Sequence, residues 1–165
     1  MSSSTAKRIV VYQWERQPAE GFVNPALYLQ EDRLEWMTLD GKVRYSPFEE
    51  FKALCFSSEN GKADLFTEDN LFERRPKVPG LWTRFTFKDK DLLDGILSHN
   101  LLEWPAAGYL ITPPKARASR QRVFIPRAAL AATELRGVVG SSVRARERRK
   151  RPTPGVAPQI SMFDL

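Results

Sequence analysis

Two short stretches, Glu20-Gly21-Phe22-Val23 and Asp94-Gly95-Ile96-Leu97, decide the fold expected for this chain of 165 residues. They lie 74 residues apart, and each places an acidic residue and a glycine before two apolar residues. A glycine inside an apolar run is typical of a bent strand, or of a place where two backbones approach closely. Similarity at a fixed offset indicates an internal repeat.

The repeat extends well beyond these two stretches. The offset of 74 residues holds in the first part of each copy, and five more residues are inserted in the second copy near Pro114. The inserted residues turn a short hairpin of the first copy into a longer basic loop. The further aligned positions are Val11 with Phe85, Glu35–Thr38 with Tyr109–Thr112, Tyr45–Pro47 with Phe124–Pro126, Phe51 with Leu130 and Phe56 with Leu135.

The apolar pattern predicts a mostly β protein. Apolar residues alternate with polar ones or form short β-branched and aromatic runs, as in Arg8–Trp14 and Trp82–Phe87. Turn residues such as Asp40-Gly41 separate these runs, and no long helical period is present. The segment Ala128–Leu135 predicts a single helical turn that leads into a strand, because Pro126 stands before it.

Each copy predicts five short strands in about 55 residues, and so few strands bury a core only by curling into a small barrel. The strand order, with an acidic-Gly pair in a bent second strand and a last strand entered from a tight turn, resembles the Sm-like small barrel without its opening helix. The second copy, over 80–130, also resembles an uncharacterised bacterial family of two-part β proteins, which implies no activity. The predicted domains are a first small β-barrel over 6–58, a linker over 59–80, a second small β-barrel over 81–140, a disordered basic tether over 141–158 and a C-terminal linear motif over 159–165.

The positive charge of the chain is concentrated in its last part. Of the formal net charge of +6, residues 141–165 carry +4, from six basic and two acidic residues. A basic segment with several prolines buries too little apolar surface to offset its ordering entropy, so the tether is expected to be disordered. Its cations favour weak nucleic-acid binding through counterion release. The expected nucleic-acid-binding residues are Arg144, Arg146, Arg148, Arg149, Lys150 and Arg151, together with Arg120 and Arg122 of the basic loop.

The stretch Gln159-Ile160-Ser161-Met162-Phe163-Asp164-Leu165 is apolar again, although it follows a basic tether. It resembles the peptide by which bacterial replication and repair proteins bind the DNA sliding clamp. The resemblance implies that Gln159 hydrogen-bonds the clamp. It also implies that apolar side chains enter the clamp's cleft, and the clamp-binding set is then Gln159, Ile160, Met162, Phe163 and Leu165. The plainer alternative is that the stretch packs against an exposed barrel edge.

The composition argues against catalysis and for binding. One cysteine, Cys55, excludes an internal disulfide and a multi-cysteine metal site, and one histidine, His99, excludes a two-histidine zinc motif. Neither a phosphate-binding glycine loop nor a nucleophile elbow is present. We therefore expect no enzyme activity, no cofactor, no metal and no membrane partner, and a cytoplasmic location.

Three classes of function remain open on the sequence. The first is a non-catalytic adaptor that docks on the sliding clamp and links the barrels to replication or repair. The second is an Sm-like RNA- or DNA-binding protein that uses the basic loop and the tail. The third is a structural module that forms a homo-oligomer through its barrel edges, because Sm barrels commonly pair edge to edge and exposed strand edges favour pairing.

Overall fold

A computed structural model describes residues 5–57, 65–67, 70–114 and 121–140. The tether, the C-terminal motif and most of the basic loop lie outside these residues, so the predictions made for them are not addressed by the fold. The strands are β1 (Lys7–Gln13), β2 (Ala19–Val23), β3 (Arg33–Thr38), β4 (Val43–Pro47), β5 (Phe51–Phe56), β6 (Gly80–Phe87), β7 (Leu92–Leu97), β8 (Gly108–Ile111), β9 (Arg122–Pro126) and β10 (Leu130–Val139).

The strands form two antiparallel sheets, which confirms the prediction of a mostly β protein. One sheet has seven strands in the order β4-β3-β2-β1-β5-β9-β8, and the other has three in the order β10-β6-β7. An isolated bridge between Ile96 and Thr112 connects β7 to the end of β8. Within the described residues the strands close into no barrel. No helix there has the length and apolar character needed to cross a bilayer.

The internal repeat is present in the strand order. The first half runs β4-β3-β2-β1-β5, and the second half runs β9-β8-β7-β6-β10 once the bridge between β8 and β7 is included. The predicted helical turn is also present, as a 3₁₀ turn over Arg127–Ala129 directly before β10. Five strands thus follow one another in the same spatial order in both halves.

The repeat is present in the register as well. Ile9 pairs with Phe56 in the first half, and Thr83 pairs with Leu135 at the corresponding place in the second half. Both strand pairs contain a bulge at the same position, so that Lys52 in β5 and its counterpart in β10 have no partner residue opposite them. Two unrelated sets of hairpins would not share a bulge position. The repeat seen in the sequence is therefore also a repeat of the backbone structure.

The predicted alignment is wrong by one residue in the third strand. The pair Phe22–Met37 in the first half corresponds to Ile96–Thr112 in the second, so Met37 matches Thr112 and Trp36 matches Ile111. The reason is one additional residue between β7 and β8, where the chain forms a 3₁₀ turn over Leu101–Glu103. Side-chain alternation cannot locate such an insertion, because a one-residue shift exchanges the two faces of a strand.

The seven-stranded sheet carries a hydrophobic core on each face. One face packs against the three-stranded sheet, and the core on the other face is made mainly of residues of the first half. The first core contains Val10, Tyr12, Ala53, Cys55, Phe85, Phe87, Leu93, Ile111, Val123 and Ile125. The second core contains Ile9, Val11, Val23, Leu34, Trp36, Phe48, Phe51, Leu54 and Phe124.

The two halves are joined by strand pairing between β5 and β9, the fifth strand of the first repeat and the fourth strand of the second. The register sets Leu54 opposite Phe124, Cys55 opposite Val123 and Phe56 opposite Arg122. Predicted linker residues add to this contact, because Leu65 is buried in the first core and the Phe66 ring packs edge-on at 5.0 Å from that of Phe87.

Candidate functional site

A basic groove lies where the two halves meet, beside the start of β1, the end of β5 and the start of β9. Its volume is about 630 Å³. Arg122, the first residue of β9, stands opposite Phe56 of β5 and is exposed. The groove is lined by Ala6, Lys7, Arg8, Pro25, Tyr28, Phe56, Ser57, Leu110, Gln121 and Arg122.

Aromatic side chains form the apolar part of the groove. The Tyr28 ring stands edge-on to Phe56 at a centroid distance of 5.4 Å and to Phe124 at 6.3 Å. Burial raises the pKa of Tyr28 to about 12, and the positive charge of Arg122 opposes this rise. Tyr28 therefore keeps its phenolic proton at neutral pH, where it can donate a hydrogen bond to an acceptor in the groove.

Three cations, Lys7, Arg8 and Arg122, line this groove. The Arg8 guanidinium lies 3.5 Å from the Glu20 carboxylate, which offsets part of its charge. A groove with cations and aromatic rings is suited to an anion that also carries an apolar or planar part, such as a nucleotide of a single strand.

Arg122 also lines a neighbouring cavity of about 490 Å³ with Leu110 and Glu103. Hydrogen bonds from Ser98 and Asn100 lower the pKa of Glu103, and the charge of Arg122 contributes to the same shift. The Glu103 carboxylate is thus ionised at neutral pH in a cavity that shares Arg122 and Leu110 with the cationic groove. Arg122 therefore lines both a cavity that contains an acidic residue and the basic groove.

The sequence predicted part of this site and missed the rest. Arg122 was expected to bind nucleic acid, and it is the member of the predicted set that the structure describes. Lys7, Arg8 and Tyr28 were missed because they belong to the first repeat and reach Arg122 only through the joint between β5 and β9. The other predicted residues lie outside the described part of the chain: Arg120, Arg144, Arg146, Arg148, Arg149, Lys150, Arg151, Gln159, Ile160, Met162, Phe163 and Leu165.

Two residues that could carry chemistry have structural contacts instead. Cys55 is buried in the first core, and burial raises the pKa of its thiol while a 3.3 Å hydrogen bond from Gln121 Nε2 to Sγ opposes the rise. The His99 Nε2 atom lies 3.3 Å from the carbonyl oxygen of Val139 and 3.2 Å from that of Gly140. Among the described residues no group of three or more His, Cys, Asp or Glu side chains could hold a metal ion.

The acidic residue of the second repeat motif, Asp94, is fully buried in β7 and serves packing. Its carboxylate accepts hydrogen bonds from Arg84 Nε at 2.7 Å, from Arg84 Nη2 at 3.0 Å and from the backbone N–H of Phe72 at 2.9 Å. The hydrogen bond to Asp94 raises the pKa of the Arg84 guanidinium. The hydrogen bond from its backbone N–H to Asp94 holds the predicted linker residue Phe72 against the second repeat.

A second buried charge, Lys52, stands in the bulge of β5. Its ammonium forms ion pairs with Asp91 and, at 2.6 Å, with Asp89, both in the turn between β6 and β7. The same ammonium lies 3.8 Å from the ring centroid of Phe66. Lys52 therefore connects the last strand of the first repeat to the first hairpin of the second.

The chain belongs to a family of unknown function, DUF6982, whose family model matches residues 5–137. This match includes all ten strands apart from the last two residues of β10. No curated protein and no solved structure matches the chain.

Proposed function

We propose that this protein is a non-catalytic adaptor that docks on the bacterial DNA sliding clamp through residues 159–165 and links its β domains to replication or repair. The observation that carries the proposal is the sequence Gln159-Ile-Ser-Met-Phe-Asp-Leu165, which has the amide, aliphatic and aromatic residues of a clamp-binding peptide in the right order. In this proposal Gln159 fixes the register and the apolar residues Ile160, Met162, Phe163 and Leu165 enter the clamp's cleft.

The position of the peptide relative to the folded part supports this use. The last strand ends at Val139 and the family match ends at residue 137, so residues 159–165 lie beyond both. About twenty residues between Gly140 and Gln159 span up to roughly 60 Å when extended. The clamp can therefore be held well clear of the two sheets, and the basic residues of the tether then lie close to the DNA that the clamp encircles.

Binding of the full chain to a purified bacterial clamp tests the proposal. An apolar anchor that enters a desolvated cleft contributes about 2 kcal/mol or more, which is about thirtyfold in affinity. We expect Met162→Ala combined with Phe163→Ala to abolish detectable clamp binding without changing the melting temperature. Ser161→Ala is the matched control, since that side chain is expected to face solvent. Unchanged clamp binding by the double variant, or an earlier melting transition, refutes the adaptor.

The folded halves are proposed to be Sm-like small barrels in tandem, in an open form, since the described strands of neither half close into a barrel. The strand order shared by the two halves and the glycines at matching positions in β2 and β7 support this proposal.

The basic groove favours a second candidate function, in which the protein binds RNA or single-stranded DNA. Lys7, Arg8, Arg122 and the aromatic rings beside them supply cations and a stacking surface. We expect Lys7→Ala with Arg122→Ala to weaken binding of a single-stranded oligonucleotide, whereas Lys88→Ala, an exposed lysine outside the groove, leaves it unchanged. Binding that the groove variant leaves intact, but that loss of residues 144–151 abolishes, assigns the affinity to the tether alone.

The contribution of the tether to nucleic-acid binding can be measured from the salt dependence of the affinity. Its six cations can contact at most six phosphates, so its log–log salt slope on duplex DNA is no steeper than roughly −5. RNA binding that keeps its salt dependence after deletion of residues 159–165 favours this candidate over the clamp adaptor. A strong preference for one sequence contradicts it.

A further inference from the structure

The joint between the two repeats pairs two strands that hold different places in their repeats. The fifth strand of the first repeat, β5, pairs with the fourth strand of the second repeat, β9. The fourth strand of the first repeat, β4, and the fifth strand of the second, β10, are the ends of the two sheets. Within the described residues each of them pairs on one side only, so the molecule presents at its two ends the same two kinds of edge that join its halves.

The residues at these two edges are exposed where their counterparts in the joint are buried. In the joint, Leu54 and Phe124 are fully buried, and Cys55 is 2% exposed. The residues at the equivalent positions of the free edges are Thr133 and Glu134 of β10 and Tyr45 of β4, and all three are exposed. The contact between a fifth and a fourth strand is therefore buried at the joint of β5 and β9, and the equivalent residues of β10 and β4 remain exposed.

We propose that the occupant of each free edge is a second copy of this chain, with β10 of one copy pairing antiparallel with β4 of the next in the register of the internal joint. The register is transferable because the neighbouring strand pairs match residue by residue. Ile9–Phe56 corresponds to Thr83–Leu135, and Trp36–Arg44 corresponds to Ile111–Val123. The resulting pairs are Thr133 with Tyr45, Glu134 with Arg44, and Leu135 with Val43.

These pairs are chemically complementary. Val43 and Leu135 are 55% and 58% exposed and would cover one another. Glu134 and Arg44 are of opposite charge, and opposite charges directly across a strand pair are stabilising whereas like charges are destabilising. In the isolated chain the Glu134 carboxylate lies 3.5 Å from Arg136 in an exposed ion pair, which leaves it accessible to a partner.

The free edges of two copies could pair like with like or unlike with unlike, and charge favours the unlike pairing. Matching β4 with β4 around Arg44 brings two guanidinium groups together, and matching β10 with β10 around Glu134 brings two carboxylates together. The unlike pairing of β10 with β4 avoids both. Each copy then uses two different surfaces, which gives a head-to-tail assembly that forms rings or filaments rather than a two-fold dimer.

Sedimentation equilibrium and light scattering of the full chain over a range of concentrations test this inference. We expect the wild type to self-associate and either Glu134→Arg or Arg44→Glu to lower the association constant about tenfold, because each sets like charges opposite one another. The variant that combines both exchanges should regain the wild-type association constant. Glu31→Arg, the same charge change at an exposed position outside β4 and β10, is the matched control.

Thermal unfolding of each variant establishes that it is folded. If one of the charge exchanges does not fold, Leu135→Lys, which places a charge opposite Val43, disrupts the same strand pairing in its place. Three outcomes overturn the inference: a wild type that is monomeric at every concentration, single exchanges that associate like the wild type, or a double exchange that fails to restore association. Loss of association in Met162→Ala with Phe163→Ala instead would assign the contact to the C-terminal motif. None of these outcomes bears on clamp binding, so the two proposals can fail separately.

Discussion

The glycine of the second repeat motif supports a quantitative prediction. A Cβ atom added at Gly95 in β7 would stand 2.4 Å from Cδ1, 2.8 Å from Cβ and 3.0 Å from Cγ1 of Ile111. Carbon atoms in contact are about 3.5–4.0 Å apart, so the overlap is at least half an ångström at all three atoms. The Ile111 Cβ atom is attached to the backbone of β8 and cannot rotate away.

We expect Gly95→Val to destabilise the fold. Overpacking a well-packed core costs about 1–3 kcal/mol, and the gain in β propensity from Gly to Val offsets at most about 1 kcal/mol. A net loss of about 1–2 kcal/mol lowers the melting temperature of a domain of this size by roughly 2–8 °C. Urea unfolding followed by tryptophan fluorescence and by circular dichroism measures the loss directly.

Gly137 in β10 offers the matched control. A Cβ atom there meets only the Trp82 ring, at an ordinary 3.8 Å, and its φ is not in the left-handed region. Gly137→Val should therefore be neutral or slightly stabilising. The reasoning is refuted if Gly95→Val unfolds at the same urea concentration as both the wild type and Gly137→Val. Combining Gly95→Ala with Ile111→Ala should cost less than the sum of the two single changes, because the new methyl group occupies space that the isoleucine leaves.

Two further predictions concern buried polar groups, both measured by urea unfolding. Lys52→Met keeps the packing of the side-chain stem and leaves Asp89 and Asp91, which are 40% and 45% exposed, to be hydrated, so stability should change by less than about 1 kcal/mol. Lys52→Ala removes the packing too and should cost about 2 kcal/mol or more, and equal effects of the two variants would contradict this. Because burial raises the pKa of Cys55 in the folded state, its contribution to stability is constant below the ordinary thiol pKa of about 8.5 and is lost as the pH rises above that value. Between pH 8 and 10 the wild type should therefore lose more stability than Cys55→Ala, and parallel pH profiles would refute the assignment.

The sequence predicted the strands and the repeat that relates them, because both depend on local patterns. Alternating apolar residues mark a strand wherever it lies, and the repeat allowed each half to be checked against the other. Matching Glu20-Gly21 with Asp94-Gly95 placed both glycines where the next strand approaches most closely, as their contacts with Trp36 and Ile111 confirm. The one-residue error in β8 arose in the turn before it, whose length has no periodic signal.

The candidate groove was harder to predict because it depends on how the halves meet. Arg122 and Arg8 are far apart in the chain and belong to different repeats, and only the pairing of β5 with β9 brings them to one groove. No residue pattern within a single repeat encodes that contact. The same reason explains why Lys52, the counterpart of an exposed alanine in β10, could not be predicted to form ion pairs with the second half.

The joint between β5 and β9 has a consequence for synthesis on the ribosome. When residues 5–57 have emerged, β5 is complete, but the strand that covers its outer edge is made only with residues 122–126. Leu54 and Cys55 therefore remain next to an open strand edge while some 65 further residues are translated, at about 5–20 residues per second. A nascent chain in this state is open to pairing with a neighbouring chain or to capture by a chaperone. A chain that stopped before β9 would keep that edge permanently, so aggregation of truncated products is the expected cost of sharing one strand pair between two repeats.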